Sequence, residues 1–216
     1  MGKVDFKPLQ EDSWRRGDAT GWFEPAYAQA NGDRAAIPWA DKGINPHLIE
    51  WAEGTSLDGA GLSALVVGCG LGDDAEYLAQ RGFAVTAFDI SPTAVVWCRQ
   101  RFPLSTVQYV QADLFAHSFA RFDFVLEAHT LQALPRAMRA DAVASIARTV
   151  GARLLVICRG ADAPSEGEEI PWPLTPEELA GFTASGLQQV RLEDFHDRKD
   201  PPQRRFRVEY RAYPPA

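Results

Sequence analysis

The chain has 216 residues, 46% of them hydrophobic and 24% charged, a composition that buries roughly seven tenths of the unfolded surface and excludes a disordered or collagenous chain. Lys and Arg total 22 against 29 Asp and Glu, for a net charge of -7; no nucleic-acid partner is expected, because such binding rests on clustered cationic charge. No apolar run approaches the roughly 18 to 20 residues that cross a bilayer and no signal-peptide stretch opens the chain, so the expectation is a cytoplasmic protein without a membrane partner.

Ahead of the first strand lies an aromatic arm, residues 1–45, carrying Trp14, Trp22, Phe23, Tyr27 and Trp39. It reads as a helical cap, either closing over a ligand with Trp39 as a wall that excludes water, or anchored to a sheet by its rings. Asn45-Pro46 opens a helix in which Trp51 falls at helical spacing from Leu48. From there apolar runs and helical repeats alternate, the signature of a parallel sheet covered by helices. Residues 62–67 form a strand that runs into Gly68-Cys69-Gly70-Leu71-Gly72-Asp73-Asp74, after which Ala75, Leu78 and Ala79 keep helical spacing until Gly82. Residues 83–88 are the second strand, and Ser91-Pro92 supplies the cap and first-turn proline of a helix with Val95, Cys98 and Phe102 on one side.

Strands at 107–110 and 122–126 come next. A helix from Pro135 is expected to hold Met138, Ala142, Ile146 and Val150 in register up to Gly151, ahead of a fifth strand at 154–157. Residues 160–174, rich in Pro, Gly and acids, are too long for a simple connector and read as a lid or a solvated loop. Thr175-Pro176-Glu177-Glu178 caps a last helix, and residues 188–192 and 206–212 are expected to pair as an antiparallel hairpin.

Cys69, Cys98 and Cys158 are isolated thiols with neither disulfide nor zinc spacing, so no metal is expected. In the glycine turn, absent Cβ atoms let the backbone approach a ligand with its N–H groups. Asp73 stands where a dinucleotide fingerprint wants Gly or Ala, and with Asp74 it places negative charge at a helix start, which repels a diphosphate. Asp89 ends the second strand about 20 residues on, where an open α/β sheet presents a carboxylate to ribose hydroxyls, unless it only caps the Ser91 helix. Asp113 ends the third strand, suited to accept from an adenine amino group while Leu114 packs on the ring. Three successive polar strand ends point to one ligand at the carboxyl edge of the sheet.

Residues 65–74, Phe88-Asp89-Ile90-Ser91-Pro92, Ala112-Asp113-Leu114 and 122–135 together resemble the successive motifs of class I S-adenosylmethionine-dependent methyltransferases, over about residues 45 to 160. Pro38-Trp39, the Asn45-Pro46 helix, the Gly-Cys-Gly-x-Gly-x-Asp turn and the Ala133-Leu134-Pro135 corner are similar to the thiopurine and thiol methyltransferase branch, which usually carries an aromatic near Ala128 or His129 that this sequence lacks. The fold implied is α/β over a single domain, 1–216: a Rossmann-like seven-stranded mixed sheet with helices on both faces, a core at 46–216, a C-terminal antiparallel β-hairpin and the N-terminal helical cap.

The resemblance also implies S-adenosylmethionine as cofactor, with Gly68, Cys69, Gly70 and Asp74 around its methionine, Asp89, Ile90 and Ser91 at the ribose, and Asp113 and Leu114 at the adenine. Glu127 and Ala128 would lie under the donor sulfur, with Trp39 completing the cofactor contacts. Methyl transfer is an in-line displacement, so holding donor and acceptor in place supplies up to roughly 7–11 kcal/mol. A base is needed only where the acceptor must lose a proton; His129 is the candidate, and its ordinary reading is a loop hydrogen bond. The expected partner is a small-molecule methyl acceptor, a thiol or similar nucleophile, and the oligomeric state stays open. The other readings are a nicotinamide-dependent oxidoreductase on the same scaffold and a non-catalytic nucleoside-binding sensor.

Overall fold

Proline and small polar side chains mark the helix starts of this chain, and the structure, a computed structural model that describes residues 2–40, 43–164 and 170–213, follows those marks. Helices α1 (Lys7–Arg15), α2 (Phe23–Ala30) and α3 (Pro46–Gly54) precede strand β1 (Ser63–Val67). Then come α4 (Asp73–Gln80), β2 (Ala84–Asp89), α5 (Pro92–Arg101), β3 (Gln108–Gln111), β4 (Phe122–Ala128), α6 (Arg136–Arg148), β5 (Val150–Arg159), α7 (Pro176–Ala184), β6 (Leu187–His196) and β7 (Arg204–Ala212). Asn45 accepts from the His47 N–H ahead of α3, Ser91 from the Ala94 N–H ahead of α5, and Thr175 with Glu178 forms a reciprocal capping box ahead of α7. Each cap satisfies N–H groups that a first helical turn leaves over.

The seven strands are ordered β3-β2-β1-β4-β5-β7-β6 in one mixed sheet, the Rossmann-like arrangement expected. β2 and β3 pair in parallel, as do β1 with β4 and β4 with β5; β7 runs antiparallel to both β5 and β6. The C-terminal hairpin is therefore present, with strands longer than the apolar runs alone marked. Among the described residues no helix is long and apolar enough to cross a membrane.

Two compact units divide the chain. The first comprises Met1–Gly61 with Gly68–Asp113, the second Leu62–Val67 with Leu114–Ala216. Within the first, Tyr27, Ala30, Ala36 and Ile37 of the arm are buried in one cluster with Leu71 of the glycine turn and Ala94 of α5, and Val4, Ala40 and Trp97 pack against it. In the second, β4 and β5 are buried through their middles, and α7 packs against α6 and β6.

One helix differs from its sequence pattern. α6 stops at Arg148, and Val150 and Gly151 belong to β5. Gly151 is a strand residue whose Cβ would lie 2.8 Å from the Phe122 carbonyl oxygen, so its glycine serves a close strand approach and not a helix stop.

Candidate functional site

In the first unit the chain turns through Gly68, Cys69, Gly70 and Leu71 into α4. Gly70 and Gly72 have φ of 55° and 86°, left-handed backbone that glycine adopts at little steric cost. The turn is also crowded: a Cβ on Gly72 would lie 2.6 Å from the Tyr109 hydroxyl, and one on Gly70 3.3 Å from the Tyr27 hydroxyl. Cys69 donates its backbone N–H to the Phe88 carbonyl at 2.8 Å, and the Cys98 thiol donates to the Gly70 carbonyl at 3.2 Å. A hydrogen bond with Cys98 and burial together push the Cys69 thiol well up, so it stays protonated.

Asp89, at the end of β2, organises this turn. Its Oδ2 accepts from the Gly70 N–H and its Oδ1 from the Ser91 N–H, each at 2.9 Å, while its carbonyl accepts from the Ala112 N–H at 3.0 Å. One aspartate thus joins the glycine turn, the start of α5 and the chain leaving β3, where Asp113 follows half-buried. Capping α5 falls to Ser91, whose Oγ accepts from Ala94. Burial pushes Asp89 up to about 6 against the hydrogen bonds that hold it down, with the Glu24 charge adding to the rise. Asp74 accepts from the Asn45 N–H at 2.7 Å and is likewise raised by burial, to about 6. Ile90 is half-buried between Asp89 and Ser91, and Gln111 Nε2 donates to its carbonyl at 3.4 Å.

Asp73 calls for a correction. Arg101 lies 2.9 Å and Arg34 3.3 Å from its carboxylate, so the charge expected to repel a diphosphate is neutralised by two guanidinium groups. Of that pair of acids, Asp74 keeps the argument.

Trp39 donates its indole N–H to the Tyr27 hydroxyl at 3.0 Å and meets Phe6, Trp22, Phe23 and Tyr27 edge-on at centroid distances of 5.6 to 6.4 Å. It is 37% exposed while Trp22 is fully buried, so Trp22 anchors the arm and Trp39 reaches the Gly70 turn through Tyr27. The arm contributes a further residue, Glu24. Its carboxylate accepts from Ser91 Oγ at 2.5 Å and from Thr93 N–H and Oγ at 3.1 and 2.6 Å, at a helix start where the dipole favours an anion. Its partners lie nearly 70 positions away, and no local spacing signals such a pairing.

In the second unit, Glu127 is fully buried at the end of β4. Its Oε1 accepts from the Leu131 N–H at 2.9 Å; Oε2 has no hydrogen-bond partner among the described residues. Burial pushes its carboxyl up to about 7. Ala128 is the last residue of β4, paired with Ile157, and Leu114 is half-buried where the unit resumes. His129 has φ of 71° and donates its backbone N–H to Ile157 at 3.2 Å. Its Nδ1 lies 2.8 Å from Oε1 of the buried Gln132, so the expected loop hydrogen bond is present.

The ends of the expected lid, 160–174, are tied down: Gly160 and Leu174 form a bridge, and Leu174 N–H donates to the Arg159 carbonyl at 3.0 Å. Its middle, 165–169, lies outside the described residues. Arg204 and Arg207 pair with Asp194 and Glu193, and Arg205 is 4% exposed against Asp197 at 2.9 Å. Arg205 is therefore a buried ion-pair partner.

Residues 64–152 match a protein family described as a methyltransferase domain. No curated protein matches the chain. Among solved structures, magnesium protoporphyrin IX methyltransferase from Synechocystis PCC 6803 with bound SAM is 17% identical, covering 99% of this chain and 100% of that one with a TM-score of 0.63. A TehB-like SAM-dependent methyltransferase from Corynebacterium glutamicum is 22% identical over 88% and 98% of the two chains, at 0.62. The 1,6-didemethyltoxoflavin-N1-methyltransferase of Burkholderia thailandensis, with bound substrate and S-adenosylhomocysteine, is 19% identical over 96% and 87%, at 0.63. At these identities the structures share a fold with this chain, and the methyltransferase-domain match covers the stretch from β1 to the start of β5.

Proposed function

We propose that this chain, which carries a methyltransferase domain on the fold of the class I S-adenosylmethionine-dependent enzymes, moves a methyl group from that cofactor to a thiol or similar nucleophile of a small molecule. The observation that supports this best is a set of carboxylates with no ion pair among the described residues: Asp74 and Asp89 in the first unit and Glu127 in the second, all raised by burial, with Glu127 Oε2 also lacking a hydrogen bond among them. Buried acids of this kind suit a ligand that brings an ammonium and a sulfonium, since each positive group favours their charged form.

When bound, the cofactor supplies an electrophilic methyl carbon. This chain's residues hold it: Gly68, Cys69, Gly70 and Asp74 take the methionine, Asp89, Ile90 and Ser91 the ribose, Asp113 and Leu114 the adenine, with Trp39 excluding water. Glu127 and Ala128 serve the sulfonium side, and His129 Nε2 accepts the acceptor's proton. A thiol, with an unperturbed pKa of about 8.5, exchanges its proton readily with an imidazole near 6.5. The solved relatives that act on a porphyrin and a toxoflavin precursor accord with a small-molecule acceptor.

Transfer of labelled methyl from S-adenosylmethionine to a panel of thiols, phenols and amines tests this reading, with the methylated thiol the expected product. Binding of the cofactor with no transfer to any member contradicts it in favour of a sensor.

The raised acids also set a pH dependence. Folded Asp74 and Asp89 titrate at about 6 and Glu127 at about 7, against ordinary values of about 3.9 and 4.3. Between about pH 4 and 7 the folded chain therefore holds protons that the unfolded chain has released, and stability falls as pH rises through that window. The ligand-free protein is expected to melt at a lower temperature at pH 7.5 than at pH 5, and S-adenosylmethionine to raise the melting temperature more at pH 7.5. Differential scanning fluorimetry checks both; a ligand-free protein more stable at pH 7.5 contradicts the sign.

A further inference from the structure

Gln132 sits in the short turn Leu131–Ala133 with its side chain fully buried, an unusual place for an uncharged amide in a corner built mostly of apolar residues. Every polar atom of that amide has a defined task. Nε2 donates to the Trp172 carbonyl at 2.7 Å, and Oε1 accepts from the Arg159 backbone N–H at 2.8 Å. Rotating the amide by half a turn would set its NH2 against the Arg159 N–H and its oxygen against the Trp172 carbonyl, two like-polarity contacts in a site closed to water. The amide therefore has one orientation. The backbone carbonyl of Gln132, which accepts from the Trp172 N–H at 2.9 Å, holds the same corner from its other side.

That orientation has a consequence for His129. The Gln132 oxygen, which can only accept, faces His129 Nδ1 at 2.8 Å, so Nδ1 must carry the hydrogen. In a neutral imidazole the lone pair then resides on Nε2. We infer that Gln132 is a positioning residue, whose side-chain carbonyl fixes His129 in the Nδ1–H tautomer and so makes Nε2 its proton-accepting nitrogen. This assignment rests on the proposed role of His129 as the acceptor's base. It supplies a third group that orients the base, here a neutral one. A neutral partner suits the step, because a carboxylate there would stabilise the imidazolium and slow return of the proton to solvent. The backbone assists: His129 adopts a left-handed φ of 71° and is tied through its N–H to Ile157, so the ring is aimed by the main chain and its tautomer by Gln132.

The test is a long-range 1H–15N spectrum of the full chain labelled at histidine nitrogens, recorded above pH 8 where imidazoles are neutral. The chain has four histidines, and the His129 signals are those lost in His129→Asn. The expected spectrum has a protonated Nδ1 and an unprotonated Nε2 at His129. Gln132→Met, similar in length but without an acceptor, is expected to return the ring toward the Nε2–H form that free histidine favours, with kcat falling at least tenfold and KM for S-adenosylmethionine little changed. Gln132→Glu keeps an acceptor oxygen for Nδ1 while losing the donor to the Trp172 carbonyl, so it disturbs the packing of the corner as Met does yet is expected to restore the Nδ1–H signature, which separates tautomer control from mere loss of packing. An Nε2–H tautomer in the unmodified protein overturns the assignment, as does an Nδ1–H tautomer that survives in Gln132→Met. A protein that shows the predicted tautomer yet turns over normally as His129→Asn instead overturns the reading of His129 as the base and leaves the role of Gln132 in setting the tautomer intact.

Discussion

Replacing Asp89 with Ala is expected to weaken binding of S-adenosylhomocysteine by roughly 30- to 1,000-fold, about 2–4 kcal/mol. Two losses combine. The Gly70 and Ser91 N–H groups each lose the acceptor they now have at 2.9 Å, so the glycine turn is no longer pinned. In addition, the ribose hydroxyls proposed to face this buried carboxylate lose their acceptor. Asp89→Asn separates the two, because an amide oxygen can keep one backbone bond while its NH2 opposes the other donor. It is expected to fall between the wild type and Ala. Calorimetric titration gives the affinities, and a circular dichroism spectrum confirms that each variant is folded. Affinity unchanged in a folded Asp89→Ala protein removes Asp89 from the site.

His129→Asn is expected to lower kcat by about 100- to 10,000-fold, the usual contribution of general acid–base catalysis, for an acceptor that must be deprotonated during the step. An acceptor already ionised at the assay pH should lose far less, because its proton has gone before it binds. The comparison is made with two acceptors on either side of the assay pH, measuring kcat for each with wild type and variant. A uniform loss for both points to packing of the turn after β4 and counts against base catalysis. Equal rates in variant and wild type leave positioning as the whole of the catalysis.

Much of the architecture is legible in the sequence because the determinants are local. Ser91 and Thr175 cap the helices their spacing marks, the apolar run at 83–88 becomes β2 one residue further on, and the run at 122–126 falls within β4. The error at Val150 has a physical cause: a β-branched residue at helical spacing from Ile146 continues the repeat whether the chain remains helical or extends, and Gly151 looks like a stop while serving the close approach to Phe122. For the site, the glycine turn, Asp89 and the chain at Ala112 and Asp113 are legible as strand ends, and the hydrogen bonds centred on Asp89 join these three segments. What sequence cannot show is pairing over long separations. Glu24 with Ser91 and Thr93, Asp73 with Arg34 and Arg101, and Gln132 with Trp172 and Arg159 each join residues dozens of positions apart, where neither periodicity nor composition carries a signal.

Hydrogen exchange of the full chain with and without S-adenosylhomocysteine tests most directly whether one adenosyl ligand is held by successive strand ends. Slowed exchange is predicted together at 68–74, 89–93 and 111–114, saturating along a single binding curve. Protection confined to one of these segments, or appearing elsewhere while all three exchange as in the ligand-free protein, would contradict the account.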